Sequence, residues 1–139
     1  MNRQQEIGWA VELAAAISDY FNKEVEALEL NSNNLAAALD SADILINATS
    51  VGMSPNVNQS PVASALLKAE LVVFDVVYNP LKTKLLAEAE NAGALTVSGI
   101  DMLVWQGALA FELWTGVKAP ADIMKANALK ALKALKNIK

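Results

Sequence analysis

The stretch Ala42-Asp43-Ile44-Leu45-Ile46-Asn47-Ala48-Thr49-Ser50-Val51-Gly52-Met53 decides how this chain folds. Ile44, Leu45 and Ile46 form a short apolar run that breaks at once into small hydroxyl residues and a glycine. A buried strand that ends in this way presents backbone to a ligand at the carboxyl edge of an open α/β sheet. Downstream of the Asp43 to Asn47 strand, the turn Gly52-Met53-Ser54-Pro55 and a polar stretch lead to a short helix around Ala63 to Lys68. Leu71-Val72-Val73-Phe74-Asp75-Val76-Val77 is apolar but for one aspartate, the pattern of a strand covered on both faces and paired in parallel. Pro80 is placed to open a helix carrying Thr83 to Asn91, Gly93 to stop it, and Ala94 to Val97 to form a further strand.

Upstream, Ile7, Val11, Ala14, Ala15, Ile17, Ser18 and Phe21 keep helical spacing from about residue 4 to 21. Glu24 to Leu30 alternates and reads as a short strand, after which Asn33 or Asn34 starts a small helix through Leu39. From Ile100 the pattern is helical and unusually apolar up to Gly116, and Pro120 opens a last helix from Ala121 to about Asn137. Strand and helix alternate, so the expected class is α/β: a mostly parallel sheet flanked by helices, with the C-terminal helices packing back.

At 139 residues and 54% apolar content the chain can bury one core and is expected to form a single domain. A net charge of −4, with Arg3 the single arginine, argues against a nucleic-acid surface built on phosphate neutralisation. The late lysines Lys125, Lys130, Lys133, Lys136 and Lys139 are spaced to solvate one face of the terminal helix. Cysteine and histidine are absent, which removes thiolate nucleophiles, disulfides, imidazole bases and the usual zinc ligands, so no metal is expected. No apolar run approaches the roughly eighteen residues of a membrane span, and the polar opening Met1-Asn2-Arg3-Gln4-Gln5 is no secretory signal. A cytoplasmic location without a membrane partner is the expectation.

Three segments lie at or just beyond the carboxyl ends of these strands: Asn47 to Met53, Asp75 to Pro80 and Ser98 to Gln106, with the extreme N-terminus as a fourth candidate. Singly, Thr49 and Ser50 are turn formers, Asn79-Pro80 a loop and Gly99 a cap. Jointly, they converge on one crevice of a parallel sheet. Tyr78 and Lys82 stand four apart, as the catalytic pair of short-chain dehydrogenases does on one helix, but Pro80 between them keeps Tyr78 outside any helix. Asp75 is an unpaired carboxylate in a buried strand that needs donors, and capping a neighbouring loop is the natural use for it. Met102, Leu103, Trp105, Leu109, Phe111, Leu113 and Trp114 exceed what one helix face needs, which suggests burial by a neighbouring domain.

With the Asn2-Arg3 pair that opens the first helix, four ordered blocks resemble the carboxy-terminal part of the shikimate dehydrogenase family. They are residues 42–53 quoted above, Val73-Phe74-Asp75-Val76-Val77-Tyr78-Asn79-Pro80-Leu81-Lys82-Thr83, Gly99-Ile100-Asp101-Met102-Leu103-Val104-Trp105-Gln106-Gly107-Ala108 and Phe111-Glu112-Leu113-Trp114-Thr115-Gly116. The likeness runs from Asn2 to about Lys125; any one block is weak, and four in order are specific.

That family reduces 3-dehydroshikimate to shikimate with NADPH, using an N-terminal substrate domain and a C-terminal Rossmann domain. The resemblance implies that Asn2 and Arg3, followed by Gln4 where the family usually has threonine, receive the adenosine 2′-phosphate, for which a guanidinium is a bidentate partner. It implies that Thr49, Ser50, Val51 and Gly52 face the ribose and nicotinamide side of NADP. Val76 and Gly99 would meet the nicotinamide end through backbone atoms, and Met102 would lie against that ring. Tyr78 and Gln106 match the positions that hydrogen-bond the substrate, a phenol and an amide suited to a carboxylate and hydroxyls.

The lysine and aspartate that supply the proton in this family belong to its N-terminal domain, so no catalytic residue is expected in this chain. No Gly-x-Gly occurs, so the first two Rossmann strands and their glycine-rich phosphate loop are expected to be missing. Residues 24–30 would then stand roughly 10 Å beyond normal pairing distance from residues 43–47. The expected outcome is that the two segments rearrange to pair directly, or that the chain associates with a missing N-terminal half or with itself. Two other readings stay open: a non-catalytic binding or assembly module using the Met102 to Trp114 helix, and a relative acting on quinate or using NAD, which Arg3 alone separates.

Overall fold

A computed structural model describes residues 3–136 of the chain as two compact units, one ending at Asp40 and the other beginning at Ser41. In the first unit, helix α1 (Arg3–Phe21) stops where Asn22 turns left-handed at φ 49° and Lys23 N–H returns to Ser18 O at 3.2 Å. Helix α2 (Ser32–Ser41) starts one or two residues earlier than the asparagine pair suggests, because Asn31 Oδ1 accepts from Asn34 N–H at 2.9 Å and serves as its cap.

Residues 24–30 form no strand, and the expected direct pairing with the next strand does not occur. An alternating segment becomes a strand only where a neighbour takes up its N–H and C=O groups. Here Val25 N–H instead bonds back to the Ser18 hydroxyl at 3.0 Å, and the segment is exposed.

The second unit carries a three-stranded parallel sheet in the order β1 (Ile44–Asn47), β2 (Val72–Asp75), β3 (Leu95–Ser98). Ile44, Val72 and Leu95 stand in one row across the sheet, and Asn47, Asp75 and Ser98 in another. All three strands therefore end at the same edge. Between β1 and β2 the chain makes a 3₁₀ turn at Ser64–Leu66, shorter than the helix its composition suggests.

Helix α3 (Lys84–Asn91) crosses from β2 to β3 and buries Leu85, Leu86 and Ala89 against the sheet. Thr83 caps it, so Pro80 does not open it: Pro80 follows a cis bond four residues ahead of the first helical residue, and the hydroxyl sets the start. Gly93 ends it as expected, with φ at 85°, its own N–H on Glu90 O and Ala94 N–H on Ala89 O, both at 3.0 Å. Helix α4 (Gly99–Thr115) follows β3 directly and packs against α5 (Ala121–Lys136), where Lys125 pairs with Asp101.

The core lies on the sheet face that carries Val73 and Asp75, together with Leu71, Val77, Leu85 and Ala89. On the other face Val72 and Phe74 of β2 are half-buried, short of the full cover expected for that strand, and its neighbours are open. Ile44, Ile46 and Leu95 on that face are 60%, 57% and 65% exposed. Helix α4 is likewise apolar all round: Ile100, Val104 and Ala108 are buried, whereas Trp105, Leu109, Leu113 and Trp114 are exposed. Among the described residues no helix is long and apolar enough to cross a membrane.

Candidate functional site

The register of the sheet places two loops and a helix start at one edge, since residues 48–53, 76–80 and the first residues of α4 all leave the row Asn47, Asp75, Ser98. That row is polar while the row behind it, Ile46, Phe74 and Val97, is apolar. The polar row is also where the sequence stops forming strand.

Asp75 is the hub of this edge. Its side chain is fully buried, and three donors satisfy it: Asn47 Nδ2 and Val77 N–H on Oδ1, both at 3.0 Å, and the Thr83 hydroxyl on Oδ2 at 2.6 Å. Asn47 extends the network into the first loop. Its Oδ1 accepts from Thr49 N–H at 3.1 Å and from the Thr49 hydroxyl at 2.7 Å, and its Nδ2 reaches Val51 O at 3.3 Å. Thr49 Oγ1 in turn accepts from Val51 N–H at 3.1 Å. Among the described residues no buried side-chain nitrogen or oxygen lacks a partner. A carboxylate in an apolar core is costly unless saturated in this way.

The first and second loops are also tied through backbone, because Ser54 N–H donates to Asn79 O at 2.9 Å and Val76 N–H to Asn47 O at 3.0 Å. Gly52 needs its lack of a side chain: φ is 88° and a Cβ would stand 3.1 Å from Gln59 O. Gly99 needs it more. A Cβ there would stand 2.3 Å from Val76 O and 2.8 Å from Asp75 O, so the start of α4 presses directly on the loop after β2. The Ser98 hydroxyl accepts from Ile100 N–H at 3.4 Å at this junction.

Thr49, Ser50, Val51, Gly52, Val76, Tyr78 and Gly99 are thus gathered at one edge, on two loops and the first residue of α4. Thr49 and Ser50 are exposed, Val76 is half-buried, and Gly52 and Gly99 are buried. Tyr78 is exposed on the loop before α3, outside any helix, and Lys82 pairs with Glu90, so no tyrosine–lysine pair shares a helix face. Met102 and Gln106 follow on the first two turns of α4, both exposed, with one Gln106 amide N–H turned back to Leu103 O at 2.9 Å. Arg3 and Gln4 begin α1 in the other unit; Asn2 lies outside the described residues.

Sequence reasoning quoted Asn47 and Thr83 without giving either a role at the site. The signal was Asp75 itself, a buried carboxylate whose donors had to come from neighbouring strand ends. The chemistry on offer at this edge is neutral: hydroxyls, a phenol, an amide, a thioether and backbone groups. Such a donor set suits ribose hydroxyls, a carboxamide ring and a polyhydroxylated substrate.

A family model described as the shikimate 5'-dehydrogenase C-terminal domain matches residues 99–129. The chain is similar to a curated shikimate dehydrogenase (NADP(+)) of Dehalococcoides mccartyi, 45% identical over 123 residues, covering 88% of this chain and 43% of that protein. It superimposes on a crystal structure of shikimate dehydrogenase in complex with NADP+ with a TM-score of 0.78 at 39% identity, covering 87% of this chain and 42% of the other. It also superimposes on a quinate dehydrogenase from Corynebacterium glutamicum in complex with NAD, with a TM-score of 0.77 at 28% identity, covering 89% and 43% respectively. The chain spans less than half the length of the curated relatives it matches.

Proposed function

Since this chain belongs to the shikimate dehydrogenase family, as a match to its C-terminal portion, we propose that it forms the nicotinamide-side wall of an NADPH-dependent 3-dehydroshikimate reductase. The observation that supports this reading is the common row Asn47, Asp75, Ser98, which brings the loops of Thr49 and Tyr78 and the α4 start at Gly99 to one sheet edge.

When bound, the nicotinamide supplies the hydride. This chain's own residues orient the partners of that transfer. Thr49 to Gly52 and the backbone at Val76 and Gly99 would hold the ribose and carboxamide end, and Met102 would offer an apolar side chain to the ring. Tyr78 and Gln106 hold the substrate through a phenol and an amide. Arg3 serves the 2′-phosphate. The proton for the developing alkoxide would come from the lysine and aspartate of the family's N-terminal domain.

The test is to mix the chain with a separately produced N-terminal portion of a relative and to follow NADPH oxidation with 3-dehydroshikimate. Turnover that needs both pieces is expected, and none at any ratio overturns the proposal. Replacing 3-dehydroshikimate and NADPH by quinate and NAD in the same assay decides against the quinate reading, which the likeness to the quinate dehydrogenase keeps in play.

A second reading rests on the exposed apolar side of α4, where Trp105, Leu109, Leu113 and Trp114 stand clear of the core. In that reading the chain is an assembly module. Light scattering that finds a stable monomer with no binding partner counts against it.

A further inference from the structure

Asp75 is a buried carboxylate at the edge of the sheet for which the proposed reaction has no chemical use. Its two oxygens have divided duties. Oδ2 takes the hydroxyl of Thr83, the residue that caps α3 and accepts from Leu86 N–H at 3.3 Å. Oδ1 takes Val77 N–H, immediately before Tyr78, and Asn47 Nδ2, whose amide fixes Thr49 and Val51.

We propose that Asp75 is a positioning residue which, through Asn47 and Val77, sets the nucleotide-facing and substrate-facing loops from a single buried point. The inference rests on the proposed function for what those loops hold, and on the hydrogen-bond network alone for how they are held. The physical reason is preorganisation. Short loops of hydroxyl and glycine residues sample many conformations unless their backbone groups are bonded, and a ligand that must order them binds more weakly. A saturated anion in a low-dielectric core bonds more strongly than a neutral acceptor, so it fixes both loops with little residual freedom.

The division of labour gives the test. Asn47→Ala cuts the arm to the first loop and leaves Val77 and Thr83 on the carboxylate. Thr83→Val cuts the arm to α3, a residue outside the binding loops. Hydrogen exchange of the full chain reads both arms. Asn47→Ala is expected to speed exchange at Thr49 and Val51 with Leu86 unchanged, and Thr83→Val the reverse. Titration with NADP+, followed by calorimetry, is expected to show at least roughly tenfold weaker binding for Asn47→Ala, which loses its charge-assisted bond to Asp75 together with its bonds to Thr49 and Val51, and little change for Thr83→Val.

Asp75→Asn is the conservative rescue. Its carbonyl can keep Val77 and Asn47 but without the charge, and its amide can only donate to Thr83, whose own O–H loses its acceptor, so an affinity between those of the parent chain and Asn47→Ala is expected. Exchange that rises equally in both loops and α3 for either variant overturns the proposal, because the network is then one undivided structural unit. A parent chain that binds no NADP+ while the exchange pattern divides as stated overturns the proposed function instead and supports the positioning role.

Discussion

The Thr83 hydroxyl donates to Asp75 Oδ2 at 2.6 Å while accepting from Leu86 N–H, so one atom both caps α3 and saturates a buried carboxylate. Both side chains are buried completely or nearly so. Thr83→Val keeps the shape and deletes both bonds. The cap contributes about 1 kcal/mol and the bond to a charged acceptor about 1.5–3 kcal/mol, so a loss of roughly 2–4 kcal/mol is expected. Urea unfolding checks it: the midpoint falls for Thr83→Val and recovers for Thr83→Ser, with the slope unchanged.

Two glycines in the same helix have opposite expectations. Gly99→Ala drives a Cβ to within 2.3 Å of Val76 O and 2.6 Å of Val76 C, both backbone atoms that cannot swing aside. The start of α4 has to lift from the loop after β2, at a cost of about 1–3 kcal/mol. Gly107→Ala meets only the terminal methyl of Met124 at 3.3 Å, the free end of a flexible side chain. Alanine in a helix interior is worth up to about 1 kcal/mol over glycine, so the Gly107→Ala chain is expected to melt at a higher temperature than its parent. A thermal scan of both variants decides the pair.

Most of the fold was legible because parallel strands announce themselves as apolar runs. Ile44 to Asn47 and Leu71 to Val77 mark β1 and β2, and Gly93 marks the end of α3 by a conformation that favours glycine. Residues 24–30 misled because alternation is only a local preference, and a strand also requires a neighbour to complete its ladder. Pro80 misled because two helix-start signals stood three residues apart; the hydroxyl with a backbone N–H to satisfy prevailed over the fixed φ. At the site, the loops were legible from strand ends, whereas Asn47 and Thr83 were not. Their roles come from cross-strand register, which places Asn47 beside Asp75, and from the return of the chain to cap α3.

Acid should remove a small part of the stability of the α3 and β3 region. The Lys82 ammonium hydrogen-bonds Glu90 and, with its charge and the Thr96 hydroxyl beside it, holds that carboxyl below its ordinary value of 4.5, against a smaller opposing effect of desolvation. A carboxyl depressed in the folded state contributes stability above its unfolded value, and that contribution is lost as pH falls through the folded value. Unfolding midpoints of the parent and Glu90→Gln chains are therefore expected to differ slightly at pH 6 and to converge below pH 4. Because the pair is exposed, 1 M salt should shrink the difference at pH 6.

Tyr78 offers a separation between the two ligands of the proposed site. It is exposed on the loop after β2, and the residue before it is anchored to Asp75, so the phenol has a fixed root and a free tip. Tyr78→Phe deletes only the hydroxyl and leaves that anchor in place. A neutral hydrogen bond contributes about 0.5–1.5 kcal/mol, which is up to roughly tenfold in affinity. In the two-piece assay the KM for 3-dehydroshikimate is expected to rise by up to that factor, while NADP+ binding to the chain alone stays within twofold. Asn47→Ala should do the reverse at the nucleotide, because its bonds run to Thr49 and Val51 and not to the phenol. If Tyr78→Phe weakens NADP+ as much as it weakens substrate, the two loops do not serve different ligands, and the assignment of Tyr78 to the substrate side fails.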